Sequence, residues 1–444
     1  MYQNINKESL LGHPVTLFRL ACLRMWGQFA YFGVRGFLLF YLMRNLDLTD
    51  ASAYQLYGGF AALFVALPFL VGWISDRSLS SHQGTLIGGL LSVLGTLLLA
   101  SGQSSALYVS LAFIAIGTAL LRANLTVWFA QLYDGKGSSK DAGFSLFMLY
   151  GEVGAALSSL ACGYVGETFG WAWGFGLAAL LLLSGLLTVA LPLKVVWALV
   201  PLQMAAVFYP VYQQSQLGSW FQGTLLVVTG LLCLTLVTED EPVFGRKKEG
   251  ESLHQAAGQI ATLLAFSTAF LWATQTGAYQ GLFKVLGAVV VVGAVAWLVR
   301  EGLVFLWGAS LVHWGGLALY FARFGELEPS AGYWKLNLGL LAWPLAFVLW
   351  TLLAKKKSEP GLTQKYLAAY ASTALGLLSL YYGWLALALM LLVVGEVILR
   401  PAELTAMTSG WSVKAQATSV GAWTTSQSLL STYLIGFLLS YLSS

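Results

Sequence analysis

About fifteen apolar runs, most near twenty residues long, follow one another along the chain with short polar breaks between them. They fall near 14–43, 54–75, 84–101, 105–130, 143–165, 171–193, 194–214, 222–238, 255–275, 279–299, 302–322, 333–354, 364–381, 383–399 and 416–441. A helix needs roughly 20 apolar residues to cross a bilayer, and a helix satisfies its own backbone hydrogen bonds there. Strands of a membrane barrel would be shorter and alternating. The pattern therefore predicts an all-α polytopic membrane protein of about 14–15 spans. With 58% hydrophobic and only 9% charged residues, the chain has too little polar surface for a water-soluble globule.

The first run carries a polar stripe. Arg24, Gln28, Tyr31 and Arg35 stand at offsets of 4, 7 and 11, which return to one side of a helix. An arginine in hydrocarbon costs at least about 2.5–3.5 kcal/mol and characteristically faces a bundle interior or a wet cavity. The stripe predicts a pathway for a solute.

Basic loop residues test the topology. Arg77 with His82, Lys136 with Lys140, Arg246 to Lys248, Lys355 to Lys357 and Lys414 all follow an even-numbered run. They predict a cytoplasmic amino terminus in the plasma membrane, the inner membrane in a bacterium. The net charge of +4 sits largely in these loops and signals topology, not nucleic acid. The start lacks the apolar core and cleavage site of a signal peptide. The charged stretch 238–252 reads as a cytoplasmic linker. Cys22, Cys162 and Cys233 lie in or beside apolar runs and read as small buried hydrophobes, and the four histidines are too dispersed for a site. There is no phosphate loop, metal motif or nucleophile elbow, so no enzyme and no cofactor are expected.

Four blocks in order carry a more specific signal: HPVTLFRLACLRMWGQFAYFGVRGFLLFYL (13–42), GWISDR (72–77), AIGTALLRAN (115–124) and DAGFSLFMLYGEVGA (141–155). With LNLGLLAWPLAFVLW (336–350), GEVILRP (395–401) and VGAW (420–423), the chain resembles the proton-dependent oligopeptide transporter family. The resemblance implies the major facilitator fold, two six-helix bundles with substrate bound between them. It divides the chain into a first bundle at 1–193, an insertion of about four apolar runs at 194–301 and a second bundle at 302–444. It also implies a proton gradient as energy source, a di- or tripeptide as substrate, and a monomer in the lipid bilayer.

The same resemblance distributes roles. Arg35 and Arg122 would hold the peptide carboxylate and Glu396 its amino terminus; Tyr31 and Asn337 would add hydrogen bonds. Trp423 would shape a side-chain pocket, although a packing or lipid-facing Trp is an equal reading. Asp76 and Arg77 would form a gating loop. Gly151, Gly154, Ala155 and Ser158 read as a small-residue face for close helix packing.

Departures from the family pattern matter. Its first-helix E-x-x-E-R motif is replaced here by Arg24, Gly27 and Gln28 ahead of Tyr31. The seventh-helix glutamate becomes Leu311 if 305–316 is that helix; a second reading puts the seventh helix at 194–214. A second-helix tyrosine is Val65, and a fifth-helix asparagine is Glu152. Three buried arginines need a counter-charge, so Glu152 is expected to pair with Arg122 or Arg24, either as a relocated proton site or as a permanent link between helices. Other readings stay open: a uniporter, a carrier of another anionic or amphoteric solute, or a transport-incompetent sensor or assembly partner.

Overall fold

The computed structural model describes residues 9–10, 13–14, 16–133, 140–191, 193–213, 229, 252–276, 280–300, 313, 316–317, 320, 331–355, 360–409 and 415–428. The expected runs at 222–238 and 302–322, and the linker at 238–252, lie almost wholly outside these residues.

A short antiparallel pair, β1 (Ser9–Leu10) and β2 (His13–Pro14), leads into six helices. They are α1 (Thr16–Arg44), α2 (Asp50–Ser78), α3 (Ser81–Ala100), α4 (Leu107–Gln131), α5 (Lys140–Phe169) and α6 (Trp171–Ala190). After them come α7 (Leu193–Gln213), α8 (Leu253–Thr276) and α9 (Gln280–Arg300). The last group is α10 (Ala331–Lys355), α11 (Leu362–Tyr381), α12 (Leu385–Ser409) and α13 (416–428). Among the described residues seven helices are long and apolar enough to cross a membrane. Apolar side chains point outward in the manner of a lipid-facing surface: Leu345 is 70% exposed and Trp173 69%. Tyr381, Tyr382 and Trp384 cluster at the turn between α11 and α12, where amphipathic rings suit a membrane interface.

Local chemistry sets the boundaries. Thr49 accepts from the Ser52 backbone N–H and Asp50 stands in the first turn of α2, both favourable at a helix amino terminus. Ser80 and Gln83 close a reciprocal capping box that lets α3 begin after a break of only two residues. Between α5 and α6 the chain turns at Gly170, whose φ of 101° favours glycine.

Packing of α1 against α5 and α6, and of α3 against α4, builds the first group of helices. On α5 the expected small-residue face does two different things. A Cβ at Gly154 would run into the Met25 backbone carbonyl, so α1 and α5 cross with their backbones nearly touching. A Cβ at Gly151 would stand 2.9 Å from Arg24 Nε, so this glycine leaves room for the arginine arm.

One helix is longer than its apolar run predicts. The run ends near residue 399, before Arg400 and Pro401, yet α12 continues through Pro401 to Ser409. A proline removes one helical hydrogen bond and in lipid it is tolerated where neighbouring groups compensate. Packing of α12 against α5, α10 and α11 supplies that surrounding. The continuation puts Arg400 and Glu403 inside the molecule.

Candidate functional site

A cavity of ≈ 180 Å³ lies between the first six helices and the last group, lined by Arg24, Arg122, Arg400, Glu403, Trp423 and Gln427 among others. That is below the about 300–1,000 Å³ common for small-molecule pockets.

From the first group, α1 contributes Arg24 and α4 Arg122. The Arg24 guanidinium lies over the Phe147 ring, 4.4 Å from its centroid, and Nη2 donates to the Met148 thioether sulfur at 3.4 Å. Its Nε is buried with no hydrogen-bond partner. Arg122 lies 5.4 Å from the centroid of Tyr31, whose hydroxyl accepts from Arg35 Nη1 at 2.8 Å. Tyr31 is thus a wedge between two arginines, itself packed edge-on against Phe32 and Phe64. Aromatic faces offer partial compensation for a buried guanidinium.

The expected direct ion pair with Glu152 is not formed: neither Arg24 nor Arg122 makes a carboxylate contact among the described residues. Glu152 instead attracts Arg24 through space, while Arg122 and Arg400 repel it. Gln28, next on the stripe, keeps its Oε1 buried without a hydrogen bond. The fifth helix instead presents Phe147 and Met148 to Arg24.

From the last group, α12 and α13 build the facing wall. Arg400 Nε stands 3.9 Å from Glu396 one turn earlier, and its Nη1 donates to Gln427 Oε1 at 3.3 Å. Gln427 Nε2 in turn donates to Glu403 at 3.0 Å, so one amide bridges cation and carboxylate. Trp423, 3% exposed, closes the same wall. Asn337 falls in α10, but its side chain lies outside the described residues.

Arg400, Glu403 and Gln427 were not singled out by sequence reasoning. A signal existed: Glu396, Arg400 and Glu403 stand at offsets of 4 and 7, the same spacing as the first-helix stripe. Pro401 masked it by marking a helix end.

One end of the molecule, where α1, α3, α5, α8, α11 and α13 begin, is tied across the two groups. Asp76, at the end of α2, accepts from the backbone N–H groups of Ala417 and Thr418 and from the Thr418 hydroxyl, capping α13. Arg77 does not join it; its guanidinium folds back over the Trp73 ring at 3.8 Å. Cβ atoms at Gly72 and Gly421 would strike the backbones of Ala417 and Pro68, so α2 and α13 touch along this crossing. Lys365 of α11 forms a buried ion pair with Asp141 of α5, over the Trp350 ring. Lys140 donates to Ser409 at 3.1 Å.

His13 supplies a further tie. Its Nδ1 meets the Tyr133 hydroxyl at 2.9 Å and its Nε2 the Thr351 hydroxyl at 3.0 Å. Burial pushes the Tyr133 phenol well above its ordinary pKa, so it stays protonated. Thr351 already donates to the Phe347 carbonyl, so it accepts from Nε2–H. The Thr351 contact thus places a proton on Nε2.

Comparison with known proteins follows the same lines. Residues 83–223 match the model of the POT family (PTR2). The chain is 31% identical over 198 residues to the uncharacterized transporter YclF of Bacillus subtilis (strain 168), covering 43% of this chain and 40% of that protein. It is 33% identical over 189 residues to a di-/tripeptide transporter of Lactococcus lactis subsp. lactis (strain IL1403), covering 40% and 38%. The chain thus spans about two fifths of the length of the relatives it matches. Among solved structures, a peptide transporter POT variant in complex with alafosfalin superposes with a TM-score of 0.58 at 22% identity, over 98% of this chain and 90% of that one. A POT family transporter in complex with 5-aminolevulinic acid gives 0.59 at 21% identity, over 97% and 92%. These structures have the major facilitator fold, and this chain shares it. Residues 83–223 thus resemble the POT family, and the chain shares the fold of the peptide transporters on which it superposes.

Proposed function

We propose that the protein is a secondary transporter of di- and tripeptides, proton-coupled, that works by alternating exposure of the central cavity. The observation that carries this reading is the cavity's polarity. Arg24 and Arg122 stand on one wall and Arg400 and Glu403 on the other, with Glu396 next to Arg400, so a ligand with opposite ends would bridge the two groups of helices. The relatives named as di-/tripeptide transporters support the substrate class.

In this reading Arg122, with Arg35 behind Tyr31, binds the peptide carboxylate; Glu396 receives the amine; Trp423 shapes a side-chain pocket; Asn337 is the residue assigned to the peptide backbone. Glu152, in the field of Arg24, is the proton-carrying candidate. The tied end is the cytoplasmic one, because the basic loops lie on that side, and the protein sits in the plasma membrane as a monomer. Release to the cytoplasm then requires parting Asp76 from α13, Asp141 from Lys365 and His13 from Thr351 together.

Uptake of labelled dialanine into liposomes holding the purified protein, with and without an inward proton gradient, tests the proposal. Gradient-driven accumulation, lost in Glu152→Gln, is expected. Equilibration without accumulation would mean a facilitator, as the missing first-helix carboxylates allow, and no uptake would overturn the peptide reading.

A further inference from the structure

Resting on that reading of the cavity, we propose that it selects peptides with a net charge of −1, those bearing an acidic side chain, over neutral peptides. The cavity wall holds three guanidinia, of Arg24, Arg122 and Arg400, and one carboxylate, of Glu403. Widening the view adds Glu396 against Arg400, Glu152 acting on Arg24, and Arg35 behind Tyr31. Among the described residues cations still exceed carboxylates by one. A neutral zwitterion brings one charge of each sign and leaves that excess in a low dielectric, whereas a second ligand carboxylate removes it.

Engagement of the charges points the same way. On the α12 and α13 wall, Arg400 already has Glu396 and the Gln427 amide, and Glu403 already has Gln427. On the other wall, Arg24 and Arg122 rest on rings and a thioether, and Arg24 retains a buried Nε–H with no acceptor. Two neighbouring helices therefore present two guanidinia that repel each other and have no carboxylate partner among the described residues. A ligand with two carboxylates would engage both at once, with charge-assisted and bidentate geometry available at each. The peptide carboxylate takes one and the acidic side chain the other, while the amine faces Glu396.

Titration calorimetry on the full-length protein in detergent, with Ala-Glu, its neutral isostere Ala-Gln and the cationic Ala-Lys, tests this. Ala-Glu is expected to bind at least tenfold tighter than Ala-Gln, with Ala-Lys weakest and the Ala-Glu to Ala-Gln ratio shrinking as salt rises. The ratio should fall toward one in Arg24→Gln and recover in Arg24→Lys, which keeps the charge. Equal affinity for Ala-Glu and Ala-Gln in the unaltered protein would overturn the charge selection and leave the peptide reading standing. Binding of none of the three would overturn both.

Discussion

At the scale of single residues, the arginine count decides the chemistry and the glycines decide where the arginines go. Gly151 has a Cβ-sized space filled by the Arg24 arm, so Gly151→Val should push the guanidinium out of its place over Phe147. The expected result is a severalfold or larger loss of peptide affinity by calorimetry, with the protein still monodisperse; unchanged affinity would mean that Arg24 does not reach the ligand. Arg24 was legible from spacing alone, because four polar residues on one side of an apolar helix have few places to go. Its partner was not. Choosing between Glu152 and the Phe147 ring depends on the rotation of α5, which no residue in α1 encodes.

Elements show the same division. The apolar runs foretold α2 through α6 within a few residues, and the caps at Thr49 and Ser80 explain where two of them start. The second half of α12 was hidden behind Pro401, and with it Arg400 and Glu403. Crossing geometry makes its own prediction. Gly154→Leu would drive a side chain into the Met25 backbone and force α1 from α5. Overpacking of this kind typically costs about 1–3 kcal/mol, more where backbone must move, and should appear as a lower melting temperature in detergent. Gly258 has open space around its Cβ position, so Gly258→Ala in α8 should raise stability slightly, by up to about 1 kcal/mol, in the same assay.

Across the whole molecule, the ties at one end join the first and last groups of helices, and the proposed transport cycle makes them the gate. Removing one partner of a buried ion pair costs about 3–5 kcal/mol because a bare charge remains, whereas replacing both with apolar residues is often near neutral. Lys365→Met should therefore destabilise the closed end strongly, and Asp141→Leu with Lys365→Met much less. Asp76→Ala removes a helix cap, a loss of about 0.5–2 kcal/mol, and should act in the same direction more weakly. The readout is the alkylation rate of a cysteine placed at Thr424 in the cavity wall, using a reagent confined to the side of the tied end. The rate should rise most in Lys365→Met, and an order reversed between it and the double variant would show that the pair does not hold this end shut.

The sequence by itself determined that this chain is a bundle of membrane helices with a polar path through it, because runs of apolar residues can satisfy their backbones in lipid only as helices and because buried arginines need an interior. It also carried the family resemblance in short blocks that a reader meets in order. Tertiary structure alone decided which charges meet. Asp141 and Lys365 are 224 residues apart, Asp76 and Thr418 are 342 apart, and Arg24 faces Arg400 across the cavity from opposite halves of the chain. Such pairings follow from how helices rotate and cross, which is set by glycine contacts and ring packing distributed over many elements, and no local pattern records them.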